Sequence, residues 1–114
     1  MAFYLFIRPE GRGAATEHDA WIDHDEEWFL DVVARSGLRC PVLQRIHGQY
    51  YRSPRIHPED CARALAELER ADPLLRDHRA AGIDPESWPR VQGRLRILFE
   101  TAVRLGRRVD THSD

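Results

Sequence analysis

The chain contains no lysine and no asparagine, so each of its seventeen basic residues is an arginine. Such one-sidedness marks a GC-rich bacterial genome, and it excludes reading arginine as a choice made against lysine. The bidentate, stacking chemistry of guanidinium still applies wherever one is used. Two cysteines, Cys40 and Cys61, make no disulfide framework. No stretch approaches the ~18 apolar residues of a membrane span. The apolar run Phe3 to Ile7 is stopped by Arg8 and Pro9 too early for a secretion signal. These absences predict a cytoplasmic protein with no membrane partner. A glycine-rich phosphate loop and a Gly-x-Ser-x-Gly elbow are also missing, which removes the usual signatures of nucleotide chemistry and serine catalysis.

The last absence is local. Residues 17 to 31 hold seven of the nineteen carboxylates and no arginine. Twelve acids and all seventeen arginines lie elsewhere, so a chain of formal charge -2 is -7 inside this window and +5 outside it. Segregation on that scale can create a field that selects a basic partner.

One hundred and fourteen residues, 42% hydrophobic and 32% charged, fit one folded domain with a modest core. Phe3 to Ile7 reads as a strand buried on both faces. Residues 10 to 22 read as a loop. A first helix should begin near Asp23, with Glu26 completing a capping box, and end at Gly37. Its stripe is Trp28, Phe29, Val32, Val33 and Ser36. Val42 to Arg52 suggests a hairpin turning at Gly48, or one long bulged strand. Pro58 opens a second helix that Asp72-Pro73 should end, leaving a short third helix up to Gly82. The last helix, Pro89 to Gly106, carries the clearest seam: Trp88, Val91, Leu95, Leu98, Ala102 and Leu105. The expected architecture is therefore a single small α+β domain over residues 1–109. A short sheet of two to four strands packs on three to four helices, the long amphipathic one C-terminal, with a frayed polar tail at 110–114.

Several constellations carry possible chemistry. About half the acids of the window are explained by a helix N-terminus, where each stabilises by ~0.3–1 kcal/mol. Glu17, Asp19 and Asp31 are left over, and Trp21 among them has the composition of an aromatic anchor in a binding rim. Glu17, Asp19, Trp21, Asp23 and Asp25 are accordingly the candidate contacts for a basic protein. Tyr51 and Arg52 form a second candidate patch, because adjacent tyrosines of a strand point to opposite faces and only one of Tyr50 and Tyr51 should enter the core. The pairs His18-Asp19 and His24-Asp25 could clasp a divalent metal within residues 17–31. Cys40, His47, His57 and Cys61 lack the close knuckle spacing of a zinc site, and Cys61 fits a helix seam instead. The arginines of the last helix (Arg90, Arg94, Arg104 and Arg108) could suggest nucleic acid. The net acidity favours salt bridges to Glu67 and Glu69 of the second helix, or a solvated face.

These features point first to a non-enzymatic interaction module, neutralising or regulatory, that binds a basic partner and needs no cofactor. In outline the chain resembles small immunity or antitoxin-type proteins, which shield a basic toxin surface with carboxylates, an analogy of composition without a family motif. A small metal-dependent enzyme or metal-binding protein using residues 17–31 is the alternative reading. A homodimer hiding its own aromatic patch is the third.

Overall fold

The structure, a computed structural model, describes residues 2–7 and 19–113. It is a small α+β domain, with a three-stranded antiparallel sheet on one side of a layer of four helices. Strand β1 (Phe3–Ile7) is central and pairs with β2 (Ala20–Ile22) and β3 (Val109–Ser113). Tyr4 faces Trp21 on one side and His112 on the other. Phe3, Leu5, Ile7, Ala20, Ile22 and Val109 form the inner face, and all are buried. β1 is thus fully buried on one face only. Tyr4 and Phe6 are half-buried on the outer face, because helices cover a single side of this antiparallel sheet. The segment expected to be loop up to Ile22 becomes strand from Ala20; its earlier part lies outside the described residues.

Helix α1 (Trp28–Arg35) starts later than Asp23. Half of the capping box forms, as the Asp23 amide donates to Glu26 Oε1 at 3.1 Å. The Asp23 carboxylate is instead engaged by the Trp21 indole N–H at 2.6 Å, so the preceding residues remain a turn. Phe29, Leu30 and Val33 are its buried face. The chain leaves it through Gly37, whose φ of +76° suits only glycine well.

The expected hairpin is instead helix α2 (Pro41–Gly48), followed by a 3₁₀ turn (Tyr50–Arg52). Pro41 sits at the first helical position, and Val42, Leu43 and Ile46 share one buried side. Helix α3 (Pro58–Asp77) supplies the decisive contact. The buried Glu67 carboxylate accepts hydrogen bonds from the amides of Val42 (3.1 Å) and Leu43 (2.9 Å), satisfying donors that open every helix.

α3 also runs through the expected break at Asp72-Pro73. Proline removes the bond to the Glu69 carbonyl, but both residues are exposed, so water can take that carbonyl's place as partner. Asp72 then joins two elements: Arg76 Nε donates to it at 2.6 Å and Trp88 Nε1 at 2.9 Å. No separate third helix forms before Gly82. Helix α4 (Ser87–Leu105) carries the expected seam from Trp88 to Ala102, every member at most 2% exposed, plus Phe99. Leu105 leaves the seam and is exposed, one residue before Gly106 ends the helix at φ +64°.

Residues 110–113, expected to be a frayed tail, are paired along β1. Their polar side chains have local partners. Thr111 Oγ1 donates to the Pro54 carbonyl at 2.7 Å, and Arg108 Nε to Asp110 Oδ1 at 2.8 Å. Ile56 extends this edge, exchanging backbone hydrogen bonds with Val109 at 2.8 and 2.7 Å.

Candidate functional site

Folding removes much of the charge segregation seen along the chain. Arg94 of α4 donates to the buried Glu26 carboxylate and to the Trp21 carbonyl, and Arg90 Nε lies 3.9 Å from Glu26. Arg90 also pairs with Asp84 at 3.1 Å. The expected salt bridges from α4 to Glu67 and Glu69 are therefore replaced by bridges from Arg90 and Arg94 to the acidic window itself. Glu67 serves α2 instead.

The individual candidates fare differently. Asp19 accepts from the Tyr4 hydroxyl, and Asp23 is bonded to Trp21. Trp21 stands on β2 and not in a loop, 45% exposed, its ring 5.6 Å from that of Tyr4. Asp25 is exposed and makes no contact of its own among the described residues. Glu17 and His18 lie outside the described residues.

Burial, reinforced by the hydrogen bond and charge of Asp19, pushes the Tyr4 phenol from 10.0 up to about 12. An unfolded chain would release that proton near pH 10, so the stability tied to Tyr4 is complete below pH 10. It should be lost as pH rises towards 12. In near-ultraviolet titration the Tyr4 phenol should ionise late, towards pH 12, and Tyr4→Phe should remove that late contribution. A Tyr4→Phe protein that kept it would contradict the assignment.

A concave mixed surface lies elsewhere, in a groove of about 350 Å³ between α1, α2 and the 3₁₀ turn. One wall is formed by His24 and Glu27 of the turn that precedes α1 and by Trp28 and Asp31 of its first turn, spaced three and four apart. Opposite stand His47 and the two tyrosines, with Leu30 between. Tyr50 donates to Glu27, and His24 Nδ1 lies 3.7 Å from the same carboxylate. His47 Nε2 lies 3.7 Å from Asp31, which Arg35 also contacts at 3.0 Å. Tyr50 stacks on Phe3 of the sheet at 4.7 Å, which anchors it. The Tyr51 ring stands nearly perpendicular to it, 4.9 Å away and 71% exposed. Trp28 is fixed by its indole bond to Ser87 Oγ (2.8 Å) and by stacking on His78. Both tyrosines thus line the groove. Because they sit on a 3₁₀ turn, the strand alternation that would separate them does not apply.

Of the candidate partner contacts, Tyr51 alone belongs to this groove, beside His24, Asp31, His47 and Tyr50; Trp21, Asp23 and Asp25 are not part of its lining. The signal for the rest was present as the 24-27-28-31 spacing, which marks a face where a plain count of acids does not.

Metal chemistry gains no geometry. Among the described residues no three His, Cys, Asp or Glu side chains are gathered to hold an ion. Cys40 and Cys61 are buried, their thiols directed at the carbonyls of Glu67 (3.9 Å) and Ile56 (3.5 Å). Burial pushes the Cys61 thiol up to about 12 and raises that of Cys40, where the Glu67 charge adds to it. Such thiols are poor nucleophiles and poor ligands. His57 is the exposed entry residue of α3.

Comparison with protein-family models, with curated proteins and with solved structures finds no match to this chain. Among the described residues no helix is long and apolar enough to cross a membrane.

Proposed function

We propose that the protein is an interaction module that receives a basic side chain of a partner protein in the groove between α1 and the 3₁₀ turn. The observation that carries this reading is the perpendicular Tyr50–Tyr51 pair facing Glu27 and Asp31 across one cleft. Ring faces attract a guanidinium or ammonium, and carboxylates beyond them complete its charge and its hydrogen bonds. Asp25 and the remaining acids of the window would add a longer-range field that speeds encounter and disfavours acidic partners. The neutralising or regulatory role expected from the sequence is kept, with its centre moved from Trp21 to Tyr51.

An arginine-rich peptide titrated by calorimetry tests this. Tyr51→Ala changes a side chain that contributes little to the core, and it should weaken binding ~2–30-fold. A combined Asp19→Asn, Asp23→Asn and Asp25→Asn protein should bind almost as well as the parent in moderate salt, since only the field is altered. The reverse pattern, with Tyr51→Ala silent and the triple change abolishing affinity, would return the site to the acidic window and sink the groove.

A further inference from the structure

A second concavity lies on the other side of the 3₁₀ turn, with a volume of about 510 Å³. Its walls are Phe6 of β1, residues 52–55, and Asp110 and Thr111 of β3. That size lies within the range of small-molecule sites. Arg52 and Arg55 both line it, both are exposed, and among the described residues neither guanidinium has a hydrogen-bond or ion-pair partner. The one carboxylate in the wall, Asp110, is buried and engaged by Arg108 at 2.8 Å. The two arginines therefore remain as uncompensated positive charge in a concave place.

The loop that carries them is held firmly. Ser53 adopts φ 49° and ψ 60°, the only left-handed non-glycine residue among those described. Such a conformation persists where the surroundings over-determine it, and it concentrates at ligand sites. Here the surroundings are visible. Pro54 is buried with its carbonyl accepting from Thr111 at 2.7 Å, and Ile56 is locked to Val109 by two backbone bonds. Arg52 and Arg55 thus project from a pinned frame, which lowers the ordering cost of gripping a ligand. Guanidinium forks match the geometry of phosphate oxygens, and Phe6, stacked on Tyr4 at 5.4 Å, offers an aromatic wall beside them.

We infer that this cleft binds a small organic molecule bearing a phosphate-class oxyanion, gripped by Arg52 and Arg55. The inference is independent of the basic-partner groove and reassigns Arg52 from partner contact to ligand contact. Calorimetric titration of the whole chain with phenyl phosphate and with inorganic phosphate tests it. Both should bind saturably, phenyl phosphate more tightly. Arg52→Gln and Arg55→Gln should each weaken binding by about tenfold, the loss expected for one charged hydrogen-bonding group. Arg96→Gln, an equally exposed charge removed from α4, should change nothing. Circular dichroism confirms that each variant is folded. Non-saturable binding, indifference to Arg52→Gln and Arg55→Gln, or equal weakening by Arg96→Gln would each overturn the proposal. A phosphoserine peptide binding more tightly than phenyl phosphate would overturn the small-molecule assignment in favour of a protein-borne phosphate.

Discussion

Trp88→Ala should destabilise the protein by about 3–5 kcal/mol, the range for deleting a large buried aromatic side chain. Trp88 is 1% exposed and lies against Phe29 of α1 with ring centres 5.3 Å apart. Its indole N–H reaches Asp72 of α3, so one side chain ties α4 to two other helices. Truncation would open a cavity where three helices meet and leave a carboxylate oxygen without its donor. Trp88→Phe separates the two effects. It restores most of the volume but not the hydrogen bond, and its cost should fall to ~1–2 kcal/mol. Guanidinium denaturation of the two variants provides the measurement. Equal losses would mean that the bond to Asp72 dominates and that packing contributes little.

The second large effect is expected at a polar residue. Glu67→Ala should cost roughly 2–4 kcal/mol, because two buried amides at the start of α2 lose their acceptor and a buried stem is deleted. Glu67→Gln keeps the shape and one acceptor oxygen, so roughly half of that loss should be recovered. The effect should also be local. In amide hydrogen exchange, Val42 and Leu43 should lose protection in Glu67→Ala while the amides of β1 lose only what the global stability loses. Uniform loss across the chain would indicate a general core defect, and the capping role would then be wrong.

Glu67 also explains which parts of the fold were legible. The seam of α4 is local information: five spacings along one helix, each read without knowing its neighbours. The Gly37 and Gly106 terminators are equally local. α2 differs because its N-terminal acceptor sits 24 and 25 residues further along the chain. Without it, Val42 to Tyr51 alternates well enough to pass for a hairpin. Pro73 misled in the opposite sense. A helix breaker near an exposed C-terminal turn costs one hydrogen bond, and the burial of Ala71 and Leu75 on either side of it keeps the helix continuous. β3 was hidden by composition, since Asp110, Thr111 and His112 look like solvent-exposed sequence until Arg108, Pro54 and Tyr4 are placed beside them.

The candidate site was legible in its chemistry more than in its location. The acids of residues 17 to 31 and the Tyr50-Tyr51-Arg52 run both stood out, and each contributes to a concavity. Their partition was not visible. Arg90 and Arg94 reach the acidic window only after α4 docks, and Tyr50 and Tyr51 share one groove only because a 3₁₀ turn replaces the expected strand.

The strand order has a consequence for how the protein is made. Of the three strands β1 is synthesised first, yet it lies between β2 and a strand about a hundred residues later. Until residues 109–113 arrive its one partner among the described residues is the three-residue β2, and a two-stranded ribbon of that size does not persist alone. The helices can therefore gather during synthesis, while the apolar row of β1 waits for residues 109–113 to close the sheet. Nascent chains stalled before residue 109 should expose Phe3, Leu5 and Ile7 to chaperones, and the same three side chains should be the last to become protected in refolding.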